Sequence, residues 1–538
     1  MQLGDYLRLE ISKVTSAVRT KHEIWAASER VARELNLAPN RYRHDTPVSL
    51  LLYPRIYADY LTVDLDDFKS RSLQSANDIW YSAITSFTAT PVDVDLSCIS
   101  LPMVYRICPE RPVSCALVLC DASDNIKTVF DGVIRLVRLG IGIGIEMLSS
   151  DSTLVDELAR LDTRLIEEEG LRENFVAVNV LACHPDIREL LSRCNKSGGR
   201  FFQKINIGVW WSPSFYNYTR GKETTCAIIQ DRSVDLSIVK KNPKRCWDFA
   251  SSRYKFSSLI EMKLRGGVPY FLHIEACPDY DQTIYGTNLC TEVFLPLRRD
   301  AAGTRHSQLC VLGNVDVSRS QRLTRNERRR IHELLVDVVS GVWDQIERSE
   351  IGRLFEGLAP VDVASRPCGI GMTGFFSAAC DADAPYNLEF VQSKLSEFID
   401  DCRAHVATKP KIPSVLFSIP PSSNSEFNMM CSPNIMHWAN DQIVIITNGG
   451  NFRLRNDKHR PESLSYTDKV VISSMLDQSL SLDHIITNPS TSLDEMIRYM
   501  FLGYASVGDC RVKTKTISYY TKANVERQDK QCVETCDL

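Results

Sequence analysis

The chain has 538 residues with 63 basic and 67 acidic side chains, a net charge of −4, and 44% hydrophobic against 24% charged residues. That length is ample for a buried core, the balance is that of an ordinary globular protein, and the lack of a basic excess argues against a dedicated nucleic-acid binder. No apolar run approaches about 18 residues, and Met1–Arg8 shows no basic start followed by an apolar stretch, so a cytoplasmic protein with no membrane contact is expected.

In chain order, the first hundred residues read as helical. Leu9, Ile11, Val14, Val18, Ile24, Val31 and Leu35 recur at loosely helical spacing over 8–36. From Cys115 the pattern alternates. Apolar runs at Cys115–Cys120, Phe175–Ala182, Ile205–Trp211, Val268–Ile274, Val415–Ile419 and Gln442–Thr447 are separated by helical stretches, which predicts an α/β domain with largely buried strands. Thr324 and Glu327 have capping-box spacing, and Ile331, Leu334, Leu335, Val338, Val342 and Ile346 then form an apolar stripe. Arg322, Arg325, Arg328, Arg329 and Arg330 on the same segment read as a solvated helix face rather than a phosphate site. The polar residues from Thr521 onward predict a mobile tail. The expected organisation is a helical lobe over 1–110, one large α/β domain over 111–520 and a flexible tail over 521–538.

Chemistry enters through the cysteines. There are eighteen, scattered, and in a reducing compartment most should be small buried apolar residues. Cys532 and Cys536, near the end of a polar tail, are oddly placed for packing; their sulfurs can close a small disulfide ring and exchange with another pair. A zinc site there would need two further ligands, and the nearest upstream histidine is His484. In Asn288-Leu289-Cys290-Thr291-Glu292, an extended strand would put Asn288, Cys290 and Glu292 on one face. An amide, a thiol and a carboxylate there can bind a hydroxyl, abstract from its carbon and accept its proton.

Ahead of that triplet stands Arg265-Gly266-Gly267-Val268-Pro269-Tyr270, and behind it come Val293-Phe294-Leu295-Pro296 and Cys310-Val311-Leu312-Gly313-Asn314. Here the chain resembles the large catalytic subunit of class I ribonucleotide reductase, with its G-x-P-Y segment, its N-L-C-x-E and a strand cysteine beyond. Arg111-Pro112-Val113-Ser114-Cys115 is similar to the family's first barrel strand, and Leu139-Gly140-Ile141-Gly142-Ile143-Gly144 to its glycine-rich turn. Cys183-His184-Pro185-Asp186-Ile187 resembles a helix start of the family, which favours a structural His184 over a zinc ligand shared with Cys183 and Cys194. Arg366-Pro367-Cys368-Gly369-Ile370-Gly371 and Ser518-Tyr519-Tyr520 follow in the family's order.

The resemblance implies a ten-stranded α/β barrel and a ribonucleoside-diphosphate reductase. Cys290 would be the thiyl residue, Glu292 the general base and Asn288 a substrate or carboxylate partner. Cys115 and Cys310 would be the dithiol oxidised in turnover, and Cys532 and Cys536 the shuttle that reduces it. Tyr519 and Tyr520 would relay the radical. Ser114 and the loop residues Ser422, Ser423 and Ser425 would hold substrate phosphate. No metal or cofactor is expected on this chain. The radical would come from a metal-containing small subunit, electrons from thioredoxin or glutaredoxin, and control from nucleotide effectors; a homodimer is expected. The chain departs from the family in having little sequence ahead of the helical lobe, a short acidic stretch between Gly144 and Val176, and Leu101 before Pro102. These cuts resemble reductases of viruses and phages, which would work in the host cytoplasm. The competing reading, a reductase-like interaction protein without catalysis, should have lost some of these thiols and tyrosines.

Overall fold

A computed structural model of the chain describes residues 1–38, 49–88, 94–101, 113, 115–167, 176–194, 202–217, 224–259, 262, 269–277, 279–289, 291, 293–299, 301, 303–349, 351–409, 414–419, 431–432, 435, 442–447, 449–455, 464–476, 480–486 and 515–521. The N-terminal region is helical. In α1 (Leu3–Thr15), Leu3, Leu7, Ile11 and Val14 return every three or four residues and form one buried stripe. In α2 (Lys21–Glu34) Ile24, Ser28 and Val31 do the same, after a capping box in which Glu23 N donates to Thr20 Oγ1 and Thr20 N to Glu23 Oε2. Ser75 caps α3 (Ala76–Ser86) by accepting from Asp78 N. Backbone bonds of 2.9 Å from Arg19 N to Arg453 O and from Arg455 N to Arg19 O tie this region to the strand Gly450–Arg455.

The central sheet begins with five parallel strands separated by helices. In chain order these are β1 (Cys115–Cys120), α4 (Ile126–Arg138), β2 (Gly142–Met147), α5 (Leu154–Glu167), β3 (Val176–Leu181), α6 (Ile187–Cys194), β4 (Ile205–Trp211), α7 (Leu236–Lys241) and β5 (Tyr270–His273). A short antiparallel hairpin follows, β6 (Tyr285–Thr287) with β7 (Phe294–Pro296). Then come β8 (Gln308–Asp316), α8 (Arg325–Arg348), β9 (Pro367–Thr373), α9 (Leu388–Val406) and β10 (Ser414–Phe417), with the three strands parallel to one another. β8 pairs antiparallel with β1, so the path β10-β9-β8-β1-β2-β3-β4-β5 joins two parallel halves at one antiparallel seam. Two further strands, β11 (Leu480–Ile486) and β12 (Lys515–Thr521), pair in parallel, and β12 runs alongside β5.

The strands are apolar on both sides because both sides are covered. Along β1, Cys115, Leu117 and Leu119 belong to an inner cluster that also holds Leu289, Val293, Leu295, Cys310 and Leu312. Ala116, Val118 and Cys120, on the alternate positions, join the larger outer core with the helices. The hairpin is therefore the filling around which the sheet curls. Gly144 on β2 makes room for it, since a Cβ there would lie 1.9 Å from Thr287 O. On the opposite wall a Cβ on Gly369 of β9 would lie 2.8 Å from Val293 Cγ2. The glycine-rich segment expected as a turn is a turn only at Gly140, with φ 83°; Gly142 and Gly144 lie in a strand and serve close packing.

The capping box at Thr324 and Glu327 is present, and the apolar stripe of α8 is buried. The arginines beside it form the expected exposed face, Arg328 alone being partly buried, and several of them are ion-paired. Arg325 grips Asp401 of α9 with bonds of 2.8 and 2.6 Å, and Arg328 grips Glu397 with bonds of 2.6 and 3.2 Å. Arg329 pairs with Glu333 at 2.9 Å and Arg322 with Asp381 at 3.4 Å. Asp401, Glu397 and Asp381 lie far along the chain from the arginines they meet, which no local charge run discloses. No described helix is long and apolar enough to cross a membrane.

Candidate active site

The hairpin carries the motif with the amide, thiol and carboxylate. Between β6 and β7 the chain reverses within a few residues, and Asn288, Leu289 and Thr291 lie in that connection. Thr291 N donates to Asn288 O at 3.1 Å, Asn288 N to Val293 O at 3.4 Å, and Val293 N to the Asn288 side chain at 3.2 Å. Thr291, buried, sits in the left-handed region with φ 59°. A β-branched residue rarely takes that conformation, and such strain of about 1–3 kcal/mol persists only where the surroundings impose it. Cys290 and Glu292 lie outside the described residues.

The remaining face of Asn288 points at the seam of the sheet, where its Nδ2 donates to Cys115 Sγ at 3.4 Å. Cys115 and Cys310 are directly opposed across the β1–β8 seam, and both are fully buried. Directly opposed antiparallel residues have Cα atoms about 4.5–5.5 Å apart, within the span a disulfide bridges. Both also belong to the inner cluster and so face the hairpin. An amide, two thiols and a strained turn thus meet on the inner side of the sheet, an arrangement in which two thiols can give up two electrons by closing a disulfide.

A second polar group lies at the hairpin's base. Glu146, on β2, and Lys240, on α7, form a fully buried ion pair. Lys240 Nζ also donates to Tyr285 O at 2.5 Å and stands 3.7 Å from the centre of the Trp210 ring. Trp210 Nε1 completes the carboxylate's partners at 2.8 Å. Burial pushes the Glu146 carboxyl up to about 7 against the pull of Lys240 and Trp210. Burial likewise pushes Lys240 down to about 8.

The family profile described as "Ribonucleotide reductase, barrel domain" matches residues 113–398, more than half of the chain. The chain belongs to the ribonucleotide reductase family. The matched span runs from β1 through the hairpin and the seam thiols to α9, so this reductase-family chain carries the barrel of the large, catalytic subunit. Among solved structures it is similar to the class Id ribonucleotide reductase alpha subunit of Actinobacillus ureae, with a TM-score of 0.57, 14% identity and 97% of each chain covered. At that identity the likeness speaks for the fold. No curated protein matches the chain significantly.

Of the residues singled out in the sequence, the reductase fold brings together Asn288, Cys115 and Cys310. Tyr519 and Tyr520 fall in β12, opposite His484 and Ile485 of β11. Ser114, Ser422, Ser423, Ser425, Cys532 and Cys536 lie outside the described residues. His184 is buried and structural: its Nδ1 accepts from Asp186 N at 3.1 Å, and its Nε2 lies 3.1 Å from Ser149 O. Burial lowers its pKa, in keeping with a neutral ring. Glu146, Lys240 and Trp210 escaped the sequence reading. The available signal was a carboxylate in the apolar run Gly142–Met147, since an unpaired charge is almost never buried in such a strand.

Proposed function

We propose that this reductase-family chain is the large subunit of a class I ribonucleoside-diphosphate reductase, and that the reaction runs through its thiols. In this reading Cys290, as a thiyl radical, takes the 3′ hydrogen of the substrate while Glu292 accepts the 3′-hydroxyl proton. The 2′-hydroxyl leaves as water with a proton from the dithiol. Cys115 and Cys310 supply two electrons and the hydrogen that C2′ gains in place of the hydroxyl, their S–H bonds giving way to one S–S bond; Glu292 returns its proton to O3′, and Cys290 returns its hydrogen to C3′. One ribonucleotide and two thiols become one deoxyribonucleotide, one disulfide and one water. Asn288 orients the thiol it touches, while Ser114, Ser422, Ser423 and Ser425 hold phosphate through hydroxyl and backbone donors.

The observation that carries the proposal is the opposition of Cys115 and Cys310 beneath the Asn288 amide, on the inner side of the barrel. Tyr519 and Tyr520 are assigned the relay between Cys290 and a radical held by a metal-containing small subunit. Cys532 and Cys536 are assigned the reduction of the inner disulfide, with thioredoxin or glutaredoxin behind them. The test is deoxynucleotide formation from the four ribonucleoside diphosphates, using this chain, the small subunit from the same source and dithiothreitol, with and without nucleotide effectors. Product that vanishes in Cys290→Ala is expected. Product that persists in that variant overturns the radical assignment. No product from the unaltered chain, with a radical-bearing partner bound, favours the interaction-protein reading.

A further inference from the structure

The Glu146–Lys240 pair is not used by the chemistry above, yet two charges have been withdrawn from water to make it. Such a pair is seldom worth its desolvation as a source of stability, because apolar residues of similar volume commonly serve as well. Its partners suggest another reason. Lys240 reaches from α7 to Tyr285 O, on one strand of the hairpin. Trp210, bonded to Glu146, sets its ring edge-on to Phe294, on the other strand, with centres 5.4 Å apart. Gly286 leaves space for the pair, since a Cβ there would lie 3.2 Å from Glu146 Cβ. The hairpin's own ladder is only three residue pairs long, and a short two-stranded ladder is marginal by itself.

We infer that Glu146, Lys240 and Trp210 form a clamp on the base of the hairpin, fixing the depth at which Asn288 stands against the seam of Cys115 and Cys310. These are positioning residues and touch no substrate. A substrate bound to the phosphate loop would keep its affinity without them, whereas the reacting atoms would lose alignment. A displacement of about 1 Å can cost on the order of 100-fold in rate.

The inference rests on the reductase reading for its rate readout and is independent of it for its structural one. The experiment compares Lys240→Met, Glu146→Gln/Lys240→Met and Trp210→Phe with the unaltered full chain, using the small subunit, dithiothreitol and one ribonucleoside diphosphate. The double substitution removes both charges together with the tie to Tyr285 O. It is expected to keep the melting temperature within a few degrees and KM within about twofold, while kcat falls about 10–100-fold. Backbone amides of 285–287, 294 and 295 should then exchange with deuterium at least about tenfold faster. Trp210→Phe removes the donor to Glu146 and trims the ring. It should lower kcat several-fold at unchanged KM, and it decides the matter if the charge variants do not fold. Wild-type kcat in the double variant, a loss no larger than the loss of folded protein, or unchanged exchange in the hairpin overturns the clamp. So does unchanged kcat in Trp210→Phe where that variant is the deciding one. If the unaltered chain makes no deoxynucleotide, the reductase reading fails, and hydrogen exchange alone decides the clamp.

Discussion

Single atoms set the tolerances around the hairpin. Gly144 has no side chain because the Thr287 carbonyl occupies the place a methyl would need, 1.9 Å from an ideal Cβ. Backbone on both sides cannot swing aside as a flexible side chain can. Gly144→Ala should therefore push the hairpin off β2 and destabilise the chain by about 1–3 kcal/mol or more, measurable by denaturant unfolding. Turnover with dithiothreitol should drop further than the folded fraction does. Unchanged stability would mean that the hairpin does not lie against β2. Asn288 works at the same scale: one amide spans Val293 N and Cys115 Sγ, so the turn and the seam thiol are held by one side chain.

Among the elements, α8 and α9 show how charge is placed. Arg325 and His332 of α8 converge on Asp401 of α9, with Nδ1 of His332 2.8 Å from the carboxylate. Burial alone would raise the Asp401 pKa, but the bonds from Arg325 and His332 outweigh it and hold the carboxyl below its ordinary value of 3.8. Burial lowers His332 below 6.5, against the pull of Asp401. The two shifts have the same sign. A group whose folded pKa is depressed contributes stability above its unfolded pKa and loses it as pH falls through the folded value. The His332 contribution is thus complete above about pH 6.5 and declines below it, and the Asp401 contribution follows below about pH 4. Asp401→Asn should cost about 1–2 kcal/mol at pH 7, Arg325 being half exposed. It should also flatten the fall of stability below pH 4. An unaltered acid limb in that variant would assign acid sensitivity to other carboxylates.

For the whole molecule, the depth of the two seam cysteines poses a problem of electron supply. Cys115 and Cys310 are fully buried, so a protein reductant cannot reach a disulfide between them, whereas a small dithiol can. In the proposed function the tail bridges that gap. Cys532→Ser with Cys536→Ser is expected to abolish thioredoxin-driven turnover, by about 100-fold or more, and to spare turnover with dithiothreitol, since exchange needs an attacking thiolate with access to the sulfur. Equal loss with both reductants would remove the tail from the electron path.

Much of this molecule is legible in its sequence because the information is local. Continuous apolar runs with helical spacing between them mark Cys115–Cys120, Ile205–Trp211 and Gln442–Thr447 at the bounds they have in the structure, and the order of short motifs around Cys290 points to the family. A capping box is likewise written within four residues. What the tertiary structure alone decided concerns partners far apart in the chain. Asn288 meets Cys115 across 173 residues, and Lys240 meets Glu146 across 94. Arg325 and Arg328 of α8 find carboxylates on α9, and the hairpin is seated between Gly144 and Gly369. Periodicity says which residues are buried. Only sheet register and hairpin depth say which buried residues face one another, because those follow from packing the whole barrel at once.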